Sequence, residues 1–464
     1  MSKTSRDLTT GSISGHFRAL AVPTAIGMIF TTLYNVVDVY YAGMISTDAQ
    51  AGLAISFQVF FIMIALGFGL SSAMSALVGN ALGEGGRDAA RRVAGQGISY
   101  GIIASILVGV LGYSFSHYLI AIVSEPGAYR DAANSYLNFL LAATMAFLLA
   151  FGANGILTAQ GDTVSMQRAQ IVAFFANLAL NPLFIFGIPG VVGGIGFNGI
   201  ALSTIVSQTG VMLYILRQVW RSELMDGGSP ALKPDLAEYK AITAQALPAS
   251  FAMIVMMIGG FVVQYFLKGF GGAAVAAYGV ALRIEQLLLL PAFGITGALL
   301  PIAAQNYGAK NFDRVREAAY FCAKSGVALM LLASVVLWVA GAFAMSIFTD
   351  DADVIRIGAS YLAVDGFILP FYVVLFGINS LLQAFKKPMM TLWIGLYRQG
   401  LGIALFVSLY VLVFDLGVWG VWFGIATAVI TGFVLALFLT ERVAQGLIGG
   451  LRPGGSTLAQ TRAK

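Results

Sequence analysis

Apolar runs of about 20 residues or more recur along the chain, at 19–43, 50–79, 91–114, 133–157, 166–188, 195–217, 242–267, 276–304, 316–341, 356–384, 389–413 and 418–440. Each is long enough to cross a hydrocarbon core of about 30 Å as a helix. The runs are continuous rather than alternating, so they predict helices and not the strands of an outer-membrane barrel. The first run contains Asp38 and is too long for the apolar stretch of a cleaved signal, so it is expected to stay as a helix. The pattern predicts an all-α membrane protein with twelve transmembrane helices.

Shifted by 225 residues, the chain aligns with itself. Pro23 falls on Pro248, Gly83 on Gly308, Asp88 on Asp313, Arg91 on Arg316, Asn154 on Asn379 and Leu157 on Leu382. A repeat of this length implies two similar halves. Six spans is an even number, so both halves start from the same side of the membrane and are related by an axis along its normal. The stretch 218–241, with Asp226-Gly-Gly-Ser-Pro230 and Lys233-Pro-Asp235, mixes turn formers with charge and reads as a linker. The expected order is a tail at 1–15, an N-lobe at 16–217, the linker at 218–241, a C-lobe at 242–442 and a tail at 443–464. The lobes are two pseudo-symmetric six-helix bundles. Pro23 and Pro248 lie early in the first helix of each lobe, and Pro23 is a candidate hinge.

Composition agrees with a membrane chain, at 59% hydrophobic and 10% charged residues. The formal net charge of +5 does not point to nucleic acid, because the basic residues are distributed by topology. With the N-terminus inside, 21 of the 26 Lys and Arg residues fall on the inner side, 3 outside and 2 within spans. That split predicts both termini on the cytoplasmic side of a bacterial inner membrane. The single cysteine, Cys322, excludes an internal disulfide.

No catalytic constellation is present: two histidines lie far apart, and there is no nucleophile elbow, zinc-protease helix or phosphate-binding loop. The chain is therefore expected not to be an enzyme and to need no cofactor. Ionisable groups inside spans are costly and mark function by default. Asp38 is the deepest, and Tyr34 and Asn35 share its helical face. Asn177 and Asn181 are i and i+4 on the fifth span, and the sixth carries Asn198 and Thr204. A buried carboxylate suits a proton, and converging carboxylate, amide and hydroxyl oxygens suit Na⁺, here at Asp38, Asn177, Asn181 and Thr204. Under the 225-residue shift these four positions match Val263, Gly402, Phe406 and Val429, so the cluster belongs to one half only. The other half has its own charges, Arg283, Glu285, Asp365 and Arg398, opposite Gln58, Phe60, Leu140 and Ala173. Arg398 is expected to pair with Glu285 or Asp365. Arg283 and Glu285 are two apart and face different ways. Gln264, Asn379 and Gln383 add neutral polar groups that would line a central cavity, making Asp38, Gln264, Arg283, Asn379 and Arg398 the candidate substrate contacts.

The segments Tyr34-Asn-Val-Val-Asp-Val-Tyr-Tyr-Ala-Gly43, Gly79-Asn-Ala-Leu-Gly83, Gln160-Gly-Asp-Thr163 and Pro301-Ile-Ala-Ala-Gln-Asn-Tyr-Gly-Ala-Lys-Asn311 resemble the multidrug and toxic compound extrusion (MATE) transporters, particularly their DinF-like and MepA-like bacterial members. The resemblance spans about 15–440. It implies a V-shaped, two-lobed antiporter that expels amphipathic, mostly cationic drugs in exchange for H⁺ or Na⁺, and a monomer suffices for that. The family's first-helix aspartate matches Asp38 with Tyr34 nearby, and its N-lobe polar network matches Asn154, Asn177 and Thr204. Some members carry a second carboxylate where this chain has Asn181. The C-lobe carboxylates of the NorM-like branch are missing, since the matching regions read Met256-Met257 and Tyr372. The expected partners are a small-molecule drug or organic cation, the coupling ion and the lipid bilayer, with no nucleic acid. Alternatives are a lipid-linked oligosaccharide or lipid flippase, a membrane-embedded enzyme and a channel.

Overall fold

The computed structural model describes residues 5–188, 190, 192–226, 228 and 231–452. The outermost parts of both expected tails, and residues 227, 229 and 230 of the linker, lie outside the described residues. The chain is built from α1 (Ile13–Ile45), α2 (Thr47–Gly83), α3 (Arg87–Val123), α4 (Ala128–Ala142), α5 (Thr144–Ala159), α6 (Val164–Phe186), α7 (Asn198–Trp220), α8 (Leu236–Lys268), α9 (Gly272–Gly308), α10 (Phe312–Ser346), α11 (Ala352–Ala384), α12 (Pro388–Val413) and α13 (Gly417–Ile448). Among the described residues, eleven helices are long and apolar enough to cross a membrane. The pair α4–α5 supplies the twelfth span. Every predicted run therefore falls on a helix or helix pair, apart from the ends at 187–188 and 195–197.

Three local features depart from twelve plain helices. The fourth span is broken: α4 and α5 meet at Ala143 with a 52° bend. There the Thr144 hydroxyl donates to the Leu141 carbonyl at 2.6 Å, taking an acceptor that a continuous helix would use. Between α6 and α7 a short antiparallel pair, β1 (Gly187–Ile188) and β2 (Val192–Gly193), closes a turn. Within α12, residues Leu396–Gly402 and Leu409–Val413 form wide π-helical turns.

Contacts divide the chain into two compact units. One holds the described residues up to Leu8 together with Pro23–Ser250; the other holds Thr9–Val22 and the described residues from Phe251 onward. Helix α1 thus changes unit at Pro23, and α8 does so just after the repeat-equivalent Pro248. Each proline lacks the N–H that would bond the carbonyl four residues earlier, Ala19 and Ala244, so each helix ladder is interrupted near its change of unit.

In the first unit α2 packs on α3, α4 and α5, and α7 packs on α4, α5 and α6. Small residues let these helices meet: a Cβ on Gly155 of α5 would stand 2.2 Å from the Ser71 carbonyl oxygen of α2. In the second unit α11 packs on α9, α10 and α13, and α13 packs on α12.

The repeat also explains two arginine clamps. Arg91 Nε donates to Leu224 O at 2.9 Å, Nη2 to Asp226 O at 2.6 Å and Nη1 to Asp88 Oδ1 at 2.9 Å. Arg316 repeats the scheme, with Nε to Gly450 O at 2.8 Å, Nη1 to Asp313 Oδ1 at 2.5 Å and Nη2 to Ile448 O. Each clamp fixes the chain just beyond or at the end of the sixth helix of its half. Charge-assisted bonds of this kind contribute about 1.5–3 kcal/mol. Arg316→Ala is expected to lower stability by about 2 kcal/mol, read as a lower thermal midpoint in detergent. Arg87→Ala, which removes only an exposed 3.7 Å ion pair with Glu223, is expected to leave that midpoint nearly unchanged.

Candidate functional site

Asp38 lies on α1 in the first unit and is 5% exposed. Three neutral donors converge on its carboxylate. Asn177 Nδ2 donates to Oδ1 at 3.0 Å, Asn181 Nδ2 to the same oxygen at 2.9 Å, and Thr204 Oγ1 to Oδ2 at 3.3 Å. The i, i+4 spacing of the two asparagines sets both amides on one face of α6, and both are fully buried. The next residue, Pro182, removes the helix bond to the Leu178 carbonyl. Asn181 Nδ2 also reaches Asn177 Oδ1 at 3.2 Å, so the amides are coupled to each other as well as to the acid.

Two residues that sequence reasoning passed over complete the site. Ser203 Oγ accepts from Asn177 Nδ2 at 3.3 Å, and the Ser207 hydroxyl is buried without a partner. Their signal was the polar spacing Ser203, Thr204, Ser207 on α7, which puts hydroxyls one turn apart in an apolar helix. The Tyr34 hydroxyl, also buried without a hydrogen-bond partner, faces Asp38 and Thr204. Among the described residues Asp38 forms no ion pair; its charge is met by amide and hydroxyl dipoles alone.

The site can hold a proton on Asp38 without rearrangement. A Na⁺ ion would need oxygens, which half-turns of the Asn177 and Asn181 amides would present beside the Asp38, Thr204 and Ser203 oxygens. The Asn181 Oδ1 atom is already buried and without a partner. The donor types therefore fit either ion, and the orientation seen here suits the proton.

The other candidates are placed differently. Asn154 is half-buried on α5 and makes none of the bonds to Asp38, while Asn198 accepts from Ser135 Oγ at 2.8 Å. Pro23 is half-buried at the change of unit in α1. In the second unit Gln264 and Arg283 are exposed, and Asn379 is half-buried with its Oδ1 unpartnered. Arg283 is not part of any buried charge cluster: the two-residue offset that buries Glu285 in the packed face of α9 turns Arg283 away. Arg398 is buried, but it forms no ion pair with Glu285 or Asp365 among the described residues, contrary to the expected pairing. The π-helical turn that carries Arg398 directs its guanidinium over the Tyr372 ring instead, 5.5 Å from the centroid. Val263 and Val429, the repeat partners of Asp38 and Thr204, lie in the apolar core of the second unit.

Twelve apolar spans, with a carboxylate buried among them and met by neutral donors, point to a membrane transporter. The MatE family model matches residues 23–183 and again 248–407, one copy in each half of the repeat. The chain belongs to the MatE family, that of the multidrug and toxic compound extrusion transporters, and is not an enzyme. It is 25% identical over 385 residues to the probable multidrug resistance protein YpnP of Bacillus subtilis, covering 82% of this chain and 84% of the relative. It is also 25% identical over 429 residues to the probable multidrug resistance protein NorM of Thermotoga maritima, covering 90% of each. A crystal structure of a MATE protein in the bent conformation superposes with a TM-score of 0.88 at 22% identity, covering 98% of both chains.

Proposed function

We propose that the protein is a cation-coupled antiporter of the bacterial inner membrane that exports amphipathic, mostly cationic compounds by alternating access. The reading includes both termini in the cytoplasm and a monomer as the working unit. The observation that carries it is Asp38: a buried carboxylate with three neutral donors and no resident counter-charge. Such a group has one missing partner, a cation, and two kinds can supply it in turn. Outside, a proton or Na⁺ neutralises Asp38 and weakens the hold on an organic cation. Inside, loss of that ion restores the charge and the attraction, which is strong at low dielectric. With both amides turning N–H rather than oxygen toward Oδ1, Na⁺ lacks amide ligands in this arrangement, so the proton is the proposed coupling ion. Pro23, where α1 changes unit, is the proposed hinge.

The names of the curated relatives, which are probable multidrug resistance proteins, support drug efflux as the activity. The test is movement of a fluorescent organic cation across proteoliposomes under an imposed pH or Na⁺ gradient. Uphill movement under either gradient is expected, and larger under the pH gradient. Saturable movement of a lipid-linked anion in place of the organic cation would support the flippase reading and overturn this one. Asn177→Ala removes one of the two N–H donors on Asp38 Oδ1 and is expected to slow coupled transport about tenfold, since one charge-assisted bond is worth roughly 1.5 kcal/mol.

A further inference from the structure

The second unit buries a different ionisable cluster. Glu285 on α9, Asp365 on α11 and Arg398 on α12 are 7%, 0% and 5% exposed. The Tyr361 hydroxyl donates to Glu285 Oε2 at 2.6 Å. Asp365 has neither a donor nor an ion-pair partner: both its oxygens are buried and unbonded. Arg398 also leaves Nη1 buried and unbonded.

An ionised carboxylate with both oxygens stripped of partners costs several kcal/mol, far more than a protonated one. The cluster's charges sharpen the point. Two acids against one guanidinium leave one negative charge too many. The Arg398 charge acts on Glu285, whereas the acid that acts on Asp365 is Glu285. Glu285 thus has a hydroxyl donor and feels the Arg398 charge without an ion pair, whereas Asp365 has an anion for a neighbour. The groups facing this cluster are Tyr278 and Glu285 from α9, Tyr361 and Tyr372 from α11, Arg398 from α12 and the non-ionising Trp422 from α13. A metal ion is a poor occupant, because the guanidinium repels it and the site has too few free oxygens.

We propose that the second unit holds its own exchangeable proton site on Asp365, served by Arg398. When the proton is bound, Asp365 is neutral and Arg398 rests on Tyr372. When the proton leaves, Arg398 turns its unbonded Nη1 from the ring to the Asp365 carboxylate, and the charge is met from within the cluster. The ring under the guanidinium belongs to Tyr372, seven residues and so about two turns along α11 from Asp365. The π-helical turn sets Arg398 facing inward, and Gly432 on α13 gives its stem room, since a Cβ there would stand 3.0 Å from Arg398 Cβ and Cγ. The site is separate from Asp38 and does not depend on how that residue couples.

The test is infrared titration of the carboxylic C=O band in the full chain in lipid. The Asp38→Asn protein is the background, so that the first unit's acid is silent. A band that vanishes reversibly on alkalinisation is expected, and Asp365→Asn added to that background is expected to remove it. Arg398→Gln is expected to make the band persist to more alkaline solution by about one pH unit or more, because the departing proton leaves an uncompensated charge. No band in the Asp38→Asn background, or a band unchanged by Asp365→Asn, would overturn the proposal. So would an Arg398→Gln protein that folds and titrates like its background. Asp365→Asn keeps size and shape, so it remains informative should Arg398→Gln fail to fold.

Discussion

Asp38→Asn is expected to fold, to insert into membranes and to lose gradient-driven transport down to the level of protein-free vesicles. The substitution keeps Oδ1 as an acceptor for the Asn177 and Asn181 amides, now at 3.0 and 2.9 Å from Asp38 Oδ1. On the other side the new amide meets Thr204 Oγ1, which can accept as well as donate. Packing and hydrogen bonding thus survive, and a stability change within about 1–2 kcal/mol is expected from thermal unfolding. The only loss is the negative charge. Because the remaining ligands are neutral, nothing else in the cluster can attract a proton, Na⁺ or an organic cation in exchange. Near-normal uphill transport by a well-folded Asp38→Asn protein would remove Asp38 from the mechanism.

Asn181→Asp is expected to change which ion drives transport. It replaces an N–H donor 2.9 Å from Asp38 Oδ1 with a second carboxylate in a fully buried position. Two negative charges about 3 Å apart repel by about 5 kcal/mol even at an effective dielectric near 20. They are tolerated only with a cation between them. Asn177 and Thr204 remain to add neutral oxygens, so the variant becomes a better Na⁺ site. Transport under a pH gradient without Na⁺ should fall at least tenfold, and added Na⁺ should restore it. An unchanged ion dependence, measured in the same vesicles, would place residue 181 outside the exchange site.

Much of this arrangement is legible in the chain itself, for physical reasons. Membrane spans announce themselves because every backbone polar group in lipid must be bonded internally, so long apolar runs have one solution. The 225-residue repeat carried the equivalence of Arg91 and Arg316, and the clamps they form are indeed parallel. The site was visible as a breach of that repeat: Asp38, Asn177, Asn181 and Thr204 break an apolar pattern that Val263 and Val429 keep, and the structure brings all four together. What stayed hidden turned on local backbone geometry. The bend at Ala143 and the π turns of α12 depend on how individual carbonyls are bonded, which no hydrophobic pattern records. Those π turns rotate Arg398 onto Tyr372, which is why pairing it with an acid by charge alone failed. Asn154 has the right chemistry and a matching repeat partner, but half-buried on α5 it takes no part in the bonds to Asp38.

The most direct measurement is counter-ion flux set off by substrate alone. Proteoliposomes loaded with a pH-sensing dye, in parallel with others loaded with a Na⁺-sensing dye, receive a saturating organic cation with no ion gradient imposed. Wild type is predicted to move protons opposite to the compound, with Na⁺ as the only alternative carrier, and Asp38→Asn is predicted to move neither. Compound crossing in wild type with no ion moving the other way, or an Asp38→Asn protein that exchanges as wild type does, would contradict antiport at Asp38.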